Sequence, residues 1–153
     1  MKKSIALLVV FGSFTLMSCG KTEKGGMDEG QKYEFESAQK DLNEIKATIG
    51  KPDFDPNLKC LSVKTALETL AKIKDPKVEK LLKEGDKMCG IEAWVVRGSI
   101  FVKKMEDARK KDPKAIFSSE CAYTKIAIDG VLPKYKKDKR IVEMEKKYKL
   151  FCK

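Results

Sequence analysis

The cysteines and the missing histidine bound the chemistry open to this chain. Cysteines stand at 19, 60, 89, 121 and 152, and none of the 153 residues is a histidine. Without histidine there is no Ser-His-Asp or Cys-His triad, no HExxH metalloprotease site and no Cys2His2 zinc site. No CxxC occurs, which argues against a thioredoxin-type redox pair. Intervals of 29, 32 and 31 residues separate the last four cysteines, a spacing that fits no compact zinc ribbon. Neither a metal nor a cofactor is expected. What remains for Cys60, Cys89, Cys121 and Cys152 is pairing into two disulfides, for which three connectivities exist. Position favours Cys60–Cys89, because they lie 15 and 14 residues either side of a turn at Asp75 and antiparallel arms would bring them level. Cys121–Cys152 follows by elimination. Each bridge closes a loop of about 30 residues, worth roughly 3–4 kcal/mol by chain entropy. That is a large share of the about 5–15 kcal/mol that holds a small domain together.

Other chemistry-bearing groups read as structural. Asp53-Phe54-Asp55-Pro56-Asn57 opens like an EF-hand loop, but Leu58 stands where Gly is needed and Lys64 where the bidentate acid is needed. Asp55 is better placed as a helix cap. The carboxylate pairs Glu34/Glu36, Asp53/Asp55 and Glu143/Glu145 are two apart and diverge on a helix. Ser62, Ser118 and Ser119 lack a GxSxG setting, and with 30 lysines a neighbouring Lys is uninformative. No catalytic residue is assigned. Trp94, Phe101 and Met105, at near-helical spacing, are expected in the core rather than around a ligand.

The C-terminal segment is strongly basic. Lys134, Lys136, Lys137, Lys139, Arg140, Lys146, Lys147, Lys149 and Lys153 face only Asp138, Glu143 and Glu145. The first eight are the candidate patch for an anionic partner, such as acidic lipid or another acidic surface. The competing account is a solvated helix face, since the charges spread around the helix and lysines near its C-terminus complement its dipole.

These residues need elements to carry them, and the pattern is helical throughout. With 42% hydrophobic and 37% charged residues, the chain suits one globular domain. Phe35, Ala38, Leu42, Ile45 and Ile49 form one seam, ended by Gly50 and Pro52. Asp55-Pro56 opens the next helix, with Val63, Ala66, Leu67, Leu70, Ala71 and Ile73 inward. Asp75-Pro76 restarts the chain until Gly85, and Asp86 is placed to cap a longer helix to about Lys110. Asp112-Pro113 opens a helix carrying Phe117, Cys121, Thr124 and Ile128, and the last helix begins near Lys136. The β-branched stretch Ile91–Val102 would suit a strand, but a lone strand leaves its backbone unpaired, so it is assigned to a central buried helix. The fold class is all-α, a bundle of five or six helices stapled by two disulfides.

The N-terminus supplies an address. Lys2 and Lys3 precede an apolar stretch to Met17, shorter than the roughly 20 residues of a membrane span and typical of a secretory signal. Leu16-Met17-Ser18-Cys19 resembles the lipobox of bacterial lipoproteins. In that family the cysteine thiol receives a diacylglycerol, the signal is cut before the cysteine and the new amino group is acylated. The resemblance implies a signal peptide over 1–18 and lipidation of Cys19. It also implies attachment to a membrane by chains whose buried CH2 groups each contribute about 0.8 kcal/mol. Gly20, where inner-membrane lipoproteins carry Asp, implies the outer membrane. Such a compartment holds no chromosomal DNA, so the basic charge is not read as nucleic-acid binding.

Removing residues 1–18 leaves 31 basic and 23 acidic side chains, a net +8. Residues 19–30, rich in Gly and charge, read as a lipidated tether of about 18 Å, with the helical domain over 31–153. In overall form the mature chain is similar to small, lysine-rich helical lipoproteins of spirochaetes and other diderm bacteria, a similarity that transfers no ligand. The expected function is a non-enzymatic binding domain for a macromolecular or anionic envelope partner. The alternative is a periplasm-facing accessory subunit or inhibitor of an envelope machine.

Overall fold

A computed structural model describes residues 26–152, and it is all-helical with no strand among them. The helices are α1 (Glu29–Thr48), α2 (Asn57–Leu70), α3 (Pro76–Lys87), α4 (Ala93–Lys111), α5 (Ser118–Gly130) and α6 (Lys139–Phe151). A π-turn, Met88–Glu92, joins α3 to α4 without a break, so six helices make five rods.

Helix α1 begins earlier than the sequence pattern suggests. Asp28 accepts from the Gln31 N–H at 2.8 Å while the Gln31 side chain accepts from the Asp28 N–H at 3.0 Å. This reciprocal capping box places Asp28–Gly30 with the domain instead of the tether. The helix ends before Gly50, whose φ of +88° is a left-handed turn that a side chain would strain. The chain then folds Phe54 and Pro56 into the core before α2. Asp55 stabilises that entry by accepting from the Asn57 N–H at 2.9 Å, although the capping position itself belongs to Pro56.

Gly85 does not end a helix, and Asp86 does not cap one. Gly85 is buried where α3 crosses α2, and a Cβ there would lie 2.5 Å from Leu67 Cδ1 and 3.2 Å from Val63 Cγ1. The glycine serves close approach, and the helix runs through it. Three residues on, the π-turn inserts an extra residue, which frees carbonyls from the helical ladder. Two find partners. The Trp94 indole N–H donates to the Cys89 carbonyl at 2.8 Å, and the Leu132 N–H donates to the Gly90 carbonyl at 2.9 Å.

Asp112-Pro113 is likewise a turn, with Asp112 accepting from the Lys114 N–H at 2.8 Å, and α5 starts only at Ser118. The last helix starts at Lys139, three residues later than expected, because Asp138 caps it by accepting from the Arg140 N–H at 2.9 Å. Ile91–Val102 is helical as expected but not buried all round: Ile91, Ala93, Trp94, Val95, Gly98, Phe101 and Val102 are buried, while Ser99 is exposed and Glu92, Val96, Arg97 and Ile100 are partly so.

Each disulfide seals one of two hydrophobic clusters. Cys60 and Cys89 join α2 to the π-turn within the larger cluster, which packs Ala38, Leu42 and Ile45 of α1 on Val63, Leu67 and Leu70 of α2. Their Cα atoms are 5.1 Å apart. Cys121 and Cys152, with Cα atoms 5.6 Å apart, join α5 to the end of α6 beside Val102, Met105, Phe117 and Met144. The first pair is the one the position of the Asp75 turn favoured, and the second the one left by elimination. The contacts Trp94–Gly130, Gly98–Ala127 and Phe101–Tyr123 set α5 antiparallel to α4.

Candidate binding surface

Helix α6 carries most of the candidate patch, and its inner face is fixed first. Ile141 and Met144 are buried, and Tyr148 and Phe151 pack partly buried against the second cluster. Gly98 makes the approach to α4 possible, since a Cβ there would run into the Met144 side chain. Ion pairs Glu92–Arg140 and Glu106–Lys147 then set α6 parallel to α4.

Those pairs divide the basic residues into two sets. Arg140 donates to both oxygens of Glu92 at 2.8 and 3.2 Å and also to Asp138. Its pKa is raised by the Asp138 hydrogen bonds first and those of Glu92 second. Lys147 binds Glu106, which raises its pKa, with Glu143 further off at 3.9 Å. Lys134 meets Asp86 at 2.6 Å, and Tyr135 donates its hydroxyl to the same carboxylate at 2.6 Å. Burial pushes the Asp86 carboxyl up, but the hydrogen bonds from Lys134 and Tyr135 outweigh it and hold the group below its ordinary value. The Lys136 ammonium donates to the Ile128 carbonyl near the end of α5. Lys134, Lys136, Arg140 and Lys147 therefore hold α6 and its leading turn onto the bundle.

The other four are arranged differently. Lys137, Lys139, Lys146 and Lys149 are exposed and make no ion pair among the described residues. At about 100° per residue, Lys139, Val142, Glu143, Lys146, Lys149 and Leu150 share one arc of α6. All six are exposed, with Val142 at 38% and Leu150 at 66%. The charges that spread around the helix in sequence thus resolve into a paired inner set and an outward stripe of lysines interleaved with aliphatic side chains.

Beside the paired set, α4 and α6 leave an open groove of about 520 Å³. Val95, Val102 and Met144 floor it, and the Glu106–Lys147 pair stands at its rim. Lys103, Lys110, Arg140 and Lys147 line it against Glu106, Asp107 and Glu143, so its charge is mixed, and Arg140 is further answered by Glu92 and Asp138. Trp94, Phe101 and Met105 are buried, as expected, with Phe101 stacked on Tyr123 at 4.7 Å between ring centroids. Among the described residues no cluster of His, Cys, Asp or Glu could hold a metal ion, and no helix is long and apolar enough to cross a membrane.

Sequence reasoning missed the acids that sort the patch: Asp86, Glu92 and Glu106. They lie 41 to 49 residues from their partners, and no local spacing marks them. Cys19 and its lipobox, together with residues 1–18, lie outside the described residues. The chain matches no protein-family model, no curated protein and no solved structure.

Proposed function

We propose that the chain is a lipid-anchored cell-envelope protein whose helical domain is a non-enzymatic binder of an anionic partner. The observation that carries the binding half is the stripe Lys139, Lys146 and Lys149 with Lys137, four cations left over when Lys134, Arg140 and Lys147 pair with acids and Lys136 binds the Ile128 carbonyl. Two disulfides support passage through an oxidising compartment. The Leu16–Cys19 lipobox supports the anchor and an outer-membrane address. Trypsin shaving tests the location, because Lys21 and Lys24 precede the domain. Release from intact cells places it on the surface; release only after permeabilisation places it in the periplasm. Metabolic labelling with palmitate that persists in Cys19→Ser would remove the anchor from the proposal.

A second reading, an accessory subunit docked to a protein, is favoured by one feature. Leu58 and Leu61 of α2 are 81% and 63% exposed, on a face whose other residues include Thr65 and Thr69. A stoichiometric complex lost on Leu58→Asp and kept on Lys146→Glu would select it.

A further inference from the structure

We infer that the outer face of α6 is a docking surface for an anionic phospholipid bilayer, with Lys139, Lys146 and Lys149 at the phosphate level and Val142 and Leu150 between them. The inference rests on the proposed anionic-partner reading and names the partner. Three observations carry it. The face is one-sided in charge, since Glu143 is its only acid. Its cations are free of internal pairs among the described residues, so approaching an anionic surface breaks no ion pair. And two large aliphatic side chains stand exposed between the lysines, on a helix whose inner face is already buried. Lysine stems lying along apolar surface with their ammonium groups in the headgroup layer are the usual form of such contact. An acidic protein could use the charge, but it would have to match a flexible, widely spaced lysine stripe without a single bidentate arginine on it, which a fluid layer of phosphates does not need.

The test uses the whole chain with vesicles in excess, of phosphatidylcholine alone or mixed with phosphatidylglycerol. Lysines are acetylated by an amine-reactive ester and read by mass spectrometry, with Lys32 and Lys40 of α1 as internal references. On anionic vesicles Lys139, Lys146 and Lys149 should label several-fold more slowly than on neutral ones, each lysine near such a surface gaining about fivefold in occupancy. The contrast should vanish in about 1 M salt, where screening acts over about 3 Å. It should also vanish for Lys137 and Lys139 in Lys146→Glu/Lys149→Glu, exposed changes that leave both disulfides to form. Equal labelling on both vesicles, or slowing that includes Lys32 and Lys40, overturns the inference. Protection produced by polyglutamate and not by anionic vesicles overturns it in favour of an acidic protein. Flotation on the neutral vesicles reads the anchor separately, so loss of the anchor and loss of the face give different results.

Discussion

Substituting Gly130 by alanine should destabilise this domain more than the same change at Gly85. Gly130 ends α5 against the face of Trp94, and a Cβ there would lie 2.5 to 2.6 Å from three atoms of the indole. The ring cannot yield by rotating a terminal methyl. It is 5% exposed and tied through its N–H to the Cys89 carbonyl at 2.8 Å. Overpacking of this kind costs about 1–3 kcal/mol, and a displaced indole adds about 1 kcal/mol for the lost hydrogen bond. Against this stands the helix propensity of alanine, at most about 1 kcal/mol and less at a helix end. The net expectation is about 2 kcal/mol of destabilisation, or roughly 8 °C in Tm for a domain of this size. Gly85→Ala provides the contrast, because the nearest atom is a Leu67 methyl that can swing aside. It should fall within about 1 kcal/mol of the parent. Trp94 is the only tryptophan, so urea unfolding followed by its emission reads the site directly. A Gly130→Ala protein with the parent's midpoint and emission would refute the close approach of α5 to the indole.

The other expectations are simpler. Replacing either disulfide by a pair of alanines should cost roughly 3–4 kcal/mol, but timed alkylation should find Cys121–Cys152 reduced first by a small thiol, because those cysteines are half-buried while Cys60 and Cys89 are sealed. Stability should be flat from about pH 5 to 9, since there is no histidine to titrate there. The carboxyls of Asp86 and Asp138 are held below their ordinary 3.8, so their contribution is present above that value and is lost as acid protonates them. The ammonium groups of Lys134 and Lys147 are held above their ordinary 10.5, so theirs is present below it and lost in stronger base. A denaturation series with a step near pH 6.5 would contradict this. Arg140→Gln, which removes contacts to two carboxylates on a half-exposed side chain, should cost about 1 kcal/mol by the same assay, and Lys149→Gln less than about 0.5.

What the sequence made legible was whatever depended on near neighbours. The seam of Ala38, Leu42 and Ile45 and the Asp75-Pro76 start each follow from a few adjacent residues. The disulfide pairing was legible for the same reason, because one turn with arms of 15 and 14 residues favours the first pair and leaves the second. Gly85 shows where this ends. A glycine that closes a helix and a glycine that lets two helices touch look alike in sequence, and only Leu67 and Val63 across the contact tell them apart. Asp112 and Asp138 show the same limit for caps. Asp112 with Pro113 makes a turn that feeds Phe117 into the core before α5 begins, whereas Asp138 starts a helix whose Ile141 and Met144 point inward. The sorting of the lysines was beyond local reading altogether. Three acids on the α3–α4 rod and its π-turn, 41 to 48 residues away, pair Lys134, Arg140 and Lys147, and the Ile128 carbonyl holds Lys136.

That sorting separates two explanations that net charge alone would confuse. If the chain binds anionic surfaces because it is basic overall, any change of one charge should move affinity in proportion. If the outer face of α6 binds, position decides. Glu106→Gln is the informative change. It raises the net charge by one and releases Lys147, but Lys147 belongs to the α4–α6 groove rim and not to the arc of Lys139, Lys146 and Lys149. Lys146→Gln lowers the net charge by one within that arc. On anionic vesicles at low salt the face predicts no gain for Glu106→Gln, and about a fivefold loss for Lys146→Gln. A gain for the first that mirrors the loss for the second would mean that the lysines act as a diffuse cloud, and that the stripe on α6 is only the solvated side of a well-packed helix.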